Sequence, residues 1–183
     1  MYGMVNDAVR GLVLKAFGDE AWEKIYTRAN APASFAPMQA YDDEVTYALV
    51  DAAVDELGIS ASDVLKTFGH YWVSDVATVI YADLMSKTGI DFVDFVKNLD
   101  HMHQRIRTTF PNYDPPSFRV LDIEPGVIQV DYYSQREGLL PFVIGLLEGL
   151  GNHFSQTLEV EIIDDDQHPL PCRRMLVSHC PIT

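Results

Sequence analysis

From Met1 to about Phe110 the apolar residues recur at helical spacing. Val5, Ala8, Val9, Leu12, Val13 and Ala16 share one face of a helix predicted over about Met4 to Phe17, and Gly18 is placed to stop it. Asp19–Ala29 continues the helical character, followed by a proline-containing loop at Pro32–Pro37 and a helix over Asp42–Leu57 that closes at Gly58. Ser60 and Asp63 form an N-cap pattern for a helix reaching Phe68 and beyond. The last helix of this half, from about Asp91 to Phe110, carries Phe92, Val96, Leu99, His103, Ile106 and Phe110 at alternating steps of four and three, which makes a buried seam.

Past Pro111–Pro116 the period changes. Ser117–Leu121 and Val127–Tyr133 alternate apolar and polar residues around Glu124-Pro125-Gly126, as a β-hairpin does. Leu139–Phe154 returns to helical character, and Thr157–Ile163 and Arg174–Val177 read as two further strands around the acidic turn Asp164–Asp166. The fold class expected is α+β. A helical half, about 1–110, packs on a mainly antiparallel sheet with one helix, about 111–183, in a single domain with one shared core.

Composition narrows the function. A formal net charge of −14 with no Lys/Arg run opposes nucleic acid and anionic membrane surfaces as partners. No apolar run reaches the length of a membrane span and Met1 opens no signal peptide, so a cytoplasmic protein is expected. Two cysteines, Cys172 and Cys180, cannot build a disulfide framework, which fits a reducing compartment.

Three sets of residues carry chemistry. His103 lies on the buried seam whereas His101 lies off it. A neutral imidazole among aliphatic side chains needs its nitrogens satisfied, by a backbone carbonyl or by a metal ion. Tyr132, Ser134 and Arg136 follow one another at period two at the end of a strand. That puts a phenol, a hydroxyl and a guanidinium on one face, suited to carboxylates, unless Arg136 simply pairs with one of the chain's many acids. Pro115-Pro116 stiffens the approach to the hairpin and is otherwise an ordinary connection.

Together these elements resemble the H-NOX family of haem nitric-oxide/oxygen-binding domains, of the stand-alone bacterial type. The interval from His103 to Pro116 is 13 positions and from Pro116 to Tyr132 is 16, with no gap needed against the family pattern. Met1-Tyr2-Gly3, Phe68-Gly69, Asn98-Leu99-Asp100 and Gly145-Leu146-Leu147-Glu148-Gly149 also look like the family's.

The resemblance implies a b-type haem, held non-covalently in the absence of a Cys-x-x-Cys-His motif and buried between the two halves. His103 is its implied proximal ligand, with Tyr132, Ser134 and Arg136 on the propionates, Pro116 pressing on the porphyrin, and Met102 beside the ligand. Val5, Val9, Trp72, Phe142 and Leu146 would form the distal wall. Oxygen-binding relatives supply a tyrosine hydroxyl at the position occupied here by Pro141, so nitric oxide, with carbon monoxide second, is the expected ligand and oxygen should bind poorly. Trp72 carries an indole N–H that could still donate weakly to a bound ligand. The expected role is sensing rather than catalysis, with output to a separately encoded histidine kinase or cyclic-di-GMP enzyme.

Two other readings use the same residues. A peroxidase-like enzyme would need a distal acid–base group, for which His70 is the nearby candidate. A non-haem module would bind an apolar carboxylate through Arg136. A zinc site among His153, His168, Cys172, His179 and Cys180 follows no recognised ligand spacing.

Overall fold

The computed structural model describes residues 1–110, 113–163 and 172–182. The acidic turn expected at Asp164–Asp166, His168, and Pro111 at the start of the proline stretch lie outside them.

The chain starts with helix α1 (Gly3–Arg28), followed by α2 (Asp43–Leu57) and α3 (Ala61–Tyr71). Gly18 interrupts α1 with φ 82° and ψ −178°, so the expected stop is a break between two nearly continuous helices. On the first of them Val9 and Val13 are buried, but Ala16, expected on the same face, is exposed. Gly58 ends α2 in the left-handed conformation, and the Ser60 hydroxyl caps α3 by accepting from the Asp63 N–H at 3.1 Å.

Helix α3 runs on into a π-helical stretch, Trp72–Ala77, then α4 (Thr78–Ile80) and α5 (Ala82–Ser86), short helices that the periodicity did not announce. The wide π turn is a device often found at functional sites.

The single helix expected over Asp91–Phe110 is two, α6 (Phe92–Lys97) and α7 (Leu99–Thr109). Asn98 separates them at φ −94° and ψ 2°, where its backbone N–H is shared between the Asp94 and Phe95 carbonyls and its side-chain amide also donates to the Asp94 carbonyl at 2.9 Å and to the Asp94 carboxylate at 3.1 Å.

The second half holds β1 (Ser117–Glu124), β2 (Val127–Tyr133), α8 (Leu140–His153), β3 (Gln156–Ile163) and β4 (Cys172–Pro181). All pairings are antiparallel, in the order β1-β2-β4-β3. Gly126, at φ 81°, turns the β1–β2 hairpin.

The one shared core expected from the sequence is two apolar clusters. Val9, Val13, Trp22, Ile25, Leu49 and Phe68 fill the helical half; Phe92, Phe95 and Val96 of α6 join Val130, Leu147 and Met175 in a second cluster that both halves build. Trp72 packs against both. Helix α8 leans on α3 at very short range: a Cβ on Gly145 would sit 2.1 Å from the Lys66 carbonyl oxygen, and one on Gly69 would sit 2.4 Å from that of Phe142. Only glycine lets these backbones meet.

Candidate functional site

A cavity of about 780 Å³ is lined by residues of both halves, within the range of roughly 300–1,000 Å³ typical of cofactor sites. Its walls carry His103 and Met102 from α7, Pro116 from the approach to the hairpin, Tyr132, Ser134 and Arg136 from the end of β2, Val5 from α1, Trp72, and Phe142 and Leu146 from α8. Val9, one turn further along α1, does not line it; its side chain is 5% exposed and belongs to the helical core.

His103 has the least satisfied polar group in the site. Its Nδ1 is buried with no hydrogen-bond partner, while His101 faces solvent. Burial holds the pKa of His103 below the ordinary histidine value, against a backbone contact from Pro116 and the charge of Asp100, which favours the neutral ring with one nitrogen lone pair. The Pro116 contact falls short of hydrogen-bond geometry. The ring is flanked by Tyr113, T-shaped at 6.0 Å between centroids, and by Phe118, tilted at 6.1 Å.

Asp100, one turn before His103, accepts from the Ser117 hydroxyl at 2.7 Å and the Phe118 N–H at 2.8 Å. This carboxylate ties α7 to the start of β1 and so sets where Pro116 stands relative to His103. Its sequence signal was only its place in the Asn98-Leu99-Asp100 stretch.

Tyr132 is buried at 4% exposure, whereas Ser134 and Arg136 lie just past the strand, where the chain bends. All three nonetheless reach the cavity. Burial pushes the Tyr132 phenol up, against the Ser134 hydroxyl and the Arg136 charge. The Ser134 Oγ accepts from the Arg136 N–H at 3.0 Å, which shapes the bend.

Arg136 already has one acidic partner. Its Nε donates to Asp43 Oδ2 at 2.6 Å and its Nη1 to the Asp114 carbonyl at 2.6 Å. Asp43 also accepts from the Met1 ammonium at 2.6 Å. Burial alone would raise the Asp43 pKa; these two cations hold it below the ordinary value. The ion pair joins α2 of the helical half to the loop after β2.

The wall expected to be apolar has an aromatic stack, Trp72 edge-on to Phe68 at 6.2 Å and Phe68 stacked on Phe142 at 5.0 Å. It also holds a phenol the sequence reading passed over. Tyr81 lines the cavity and donates to the Met4 sulfur at 3.6 Å, a weak acceptor. Pro141 does not line the cavity; it occupies the first turn of α8, and the next residue, Phe142, faces in.

His70 also lies away from the cavity, its Nε2 2.9 Å from Glu148 Oε2. Among the described residues no group of three or more His, Cys, Asp or Glu is placed to hold a metal ion. Cys172 is buried opposite Tyr133 and Cys180 is exposed opposite Thr157. No helix among the described residues is long and apolar enough to cross a membrane.

The family model described as Haem-NO-binding matches residues 2–162. Among curated proteins, soluble guanylate cyclase 89Db of Drosophila melanogaster is 26% identical over 155 residues, covering 84% of this chain and 23% of that protein. Soluble guanylate cyclase gcy-31 of Caenorhabditis elegans is 22% identical over 178 residues, covering 97% of this chain and 25% of that protein. The chain thus spans about a quarter of the length of these relatives.

Among solved structures, the H-NOX protein of S. oneidensis in its Fe(II)NO state superposes with a TM-score of 0.87 at 20% identity, covering 98% of this chain and 99% of that one. The Fe(II) unliganded H-NOX protein of K. algicida gives 0.82 at 19% identity, covering 98% of this chain and 97% of that one. Those likenesses establish the fold.

Proposed function

The chain belongs to the haem-NO-binding family, a family of haem-based gas sensors, and from that premise we propose that it detects nitric oxide at a ferrous b-type haem held by His103. One observation carries this reading: a neutral imidazole with an unpartnered buried nitrogen stands in the wall of a cavity that also presents Tyr132, Ser134 and Arg136. An imidazole for iron and a phenol, hydroxyl and guanidinium for carboxylates are the donor set that haem with its two propionates requires. The residues present fit the group.

His103 would be the proximal ligand, with Pro116 and Met102 beside it on the cavity wall. Val5, Trp72, Phe142 and Leu146 would line the rest, with the Tyr81 hydroxyl and the Trp72 indole as the polar groups there. Bound haem supplies a ferrous iron that nitric oxide coordinates strongly without help from a hydrogen-bond donor. The chain supplies the response. When the hold on His103 weakens, α7 is free to shift against the sheet half, and Asp100, bonded to Ser117 and Phe118, passes that shift to the β1–β2 hairpin. The Arg136–Asp43 pair links the same loop to α2, so both halves feel the change.

The output is a changed surface read by an effector, for which a separately encoded histidine kinase or cyclic-di-GMP enzyme in the cytoplasm is the proposed partner. Peroxidase-like chemistry is disfavoured because His70, the acid–base candidate, points to Glu148 instead of the cavity.

The test is an anaerobic absorption spectrum of the reduced protein before and after nitric oxide, then in air, beside His103→Gly. The reading expects a coloured wild type that shifts with nitric oxide and does not form a stable complex in air. The variant should retain haem only when imidazole is added. A wild type that takes up no haem on reconstitution would sink it.

A further inference from the structure

Tyr113 belongs to none of the motifs read from the sequence, yet it stands between the two chemical ends of the site. Its ring meets the His103 imidazole edge-on, with centroids 6.0 Å apart and planes at 75°, within the range of attractive aromatic pairs. It lines the cavity together with Arg136, whose charge reaches its phenol. The hydroxyl makes no hydrogen bond with any described residue, and it is not a sealed orphan, because it is not among the buried unsatisfied atoms. Tyr113 itself is fixed by its backbone N–H, which donates to the Phe110 carbonyl at 3.0 Å. Burial pushes the phenol up to about 12, so at neutral pH the group is a neutral donor and not a phenolate.

A half-buried phenol with an unspent O–H, next to a cation and facing a cavity, is matched to an anionic oxygen. The group that the proposed function puts near Arg136 is a haem carboxylate. Resting on that function, we infer that Tyr113 is a further anchor of the cofactor: its ring edge sets the plane of the His103 imidazole, and its hydroxyl donates to a haem carboxylate beside Arg136. The residue thereby couples the iron end of the site to the carboxylate end through one side chain, which neither His103 nor the Tyr132-x-Ser134-x-Arg136 set does alone.

The two roles separate by substitution. Tyr113→Phe keeps the ring and removes the hydroxyl; Tyr113→Leu removes both. With the full chain reconstituted with haem, two quantities are read: the rate of haem transfer to an excess of an apoglobin scavenger, and the iron–histidine stretching frequency of the ferrous protein by resonance Raman. Tyr113→Phe should lose haem about tenfold faster, the effect of one hydrogen bond to a charged acceptor, with the stretching frequency unchanged. That difference should vanish when both proteins carry the haem dimethyl ester, whose carboxylates are blocked. Tyr113→Leu should shift the stretching frequency as well, and its circular dichroism spectrum checks that it is folded.

Equal transfer rates for wild type and Tyr113→Phe overturn the carboxylate role. An unshifted stretching frequency in Tyr113→Leu overturns the positioning role. A wild type that takes up haem while both variants match it sinks this inference alone, whereas a wild type that takes up none sinks the proposed function with it.

Discussion

Asp43 shows how much one carboxylate decides at this site. It holds the Met1 ammonium and Arg136 at 2.6 Å each, and its pKa is depressed despite partial burial. A carboxyl whose folded value lies below its ordinary 3.8 adds stability that is fully present above that value and lost as pH falls through the folded value. Asp43→Asn should therefore cost about 1 kcal/mol at pH 7, discounted for an ion pair still partly in solvent. The gap to wild type should begin to narrow as pH drops below about 4, the ordinary carboxylate range, and close only below the depressed folded value. Urea unfolding at pH 7 and pH 3 checks this; a gap undiminished at pH 3 would mean that packing and not charge is at work. Neither Asp43 nor Tyr113 was legible from spacing, because each meets its partners through the fold: Asp43 and Arg136 are 93 positions apart. The alternative kept open for Arg136, pairing with an acid of the chain, is realised in this structure alongside its place in the cavity wall.

At the level of elements, the α3–α8 crossing is a tight joint. The Cβ of an alanine at 145 would lie 2.1 Å from the Lys66 carbonyl oxygen, a backbone atom that cannot swing aside. Gly145→Ala should lower stability by about 1–3 kcal/mol, the usual cost of overpacking, or force α8 away from α3. A thermal melt with the midpoint unchanged would show that the two helices can slide apart freely. Because Phe142 and Leu146 flank Gly145 on α8 and line the cavity, the same variant tests whether that wall depends on the crossing. Periodicity announced the long helices well, since an apolar stripe is a local property of the chain. It joined α6 and α7 because a hydrophobic seam can run on across a break; the break at Asn98 is a turn of the backbone, with side-chain hydrogen bonds to Asp94 beside it, that apolar spacing does not register.

For the whole molecule, the cavity makes stability and ligand uptake one property. The two apolar clusters touch along the α3–α8 crossing and leave about 780 Å³ of space beside it, so a ligand that fills that space binds the folded chain and not the unfolded one. Haem at about a thousandfold excess over its dissociation constant should add roughly 4 kcal/mol, which for a chain of 183 residues raises the melting midpoint by on the order of 10 °C. His103→Gly should lose most of that gain and recover part of it with imidazole. Equal midpoints with and without haem would show that the cavity walls do not close on it.

The sequence by itself determined the α+β order of the main elements, the bounds of α2 and α8, the start of α3 and the hairpin, because capping, periodicity and turn chemistry act over a few neighbouring residues. It also marked His103 and the Tyr132, Ser134 and Arg136 set, since these stand at intervals that a family pattern records. What only the tertiary structure decided is which side chains share a space. It moved Val9 out of the cavity wall and into the helical core, brought in Tyr81 and Tyr113, paired Asp43 with Arg136, and tied Asp100 to the hairpin. Each of those contacts joins residues far apart in the chain, or turns on the path of a helix after it leaves the site, and neither is written in local spacing.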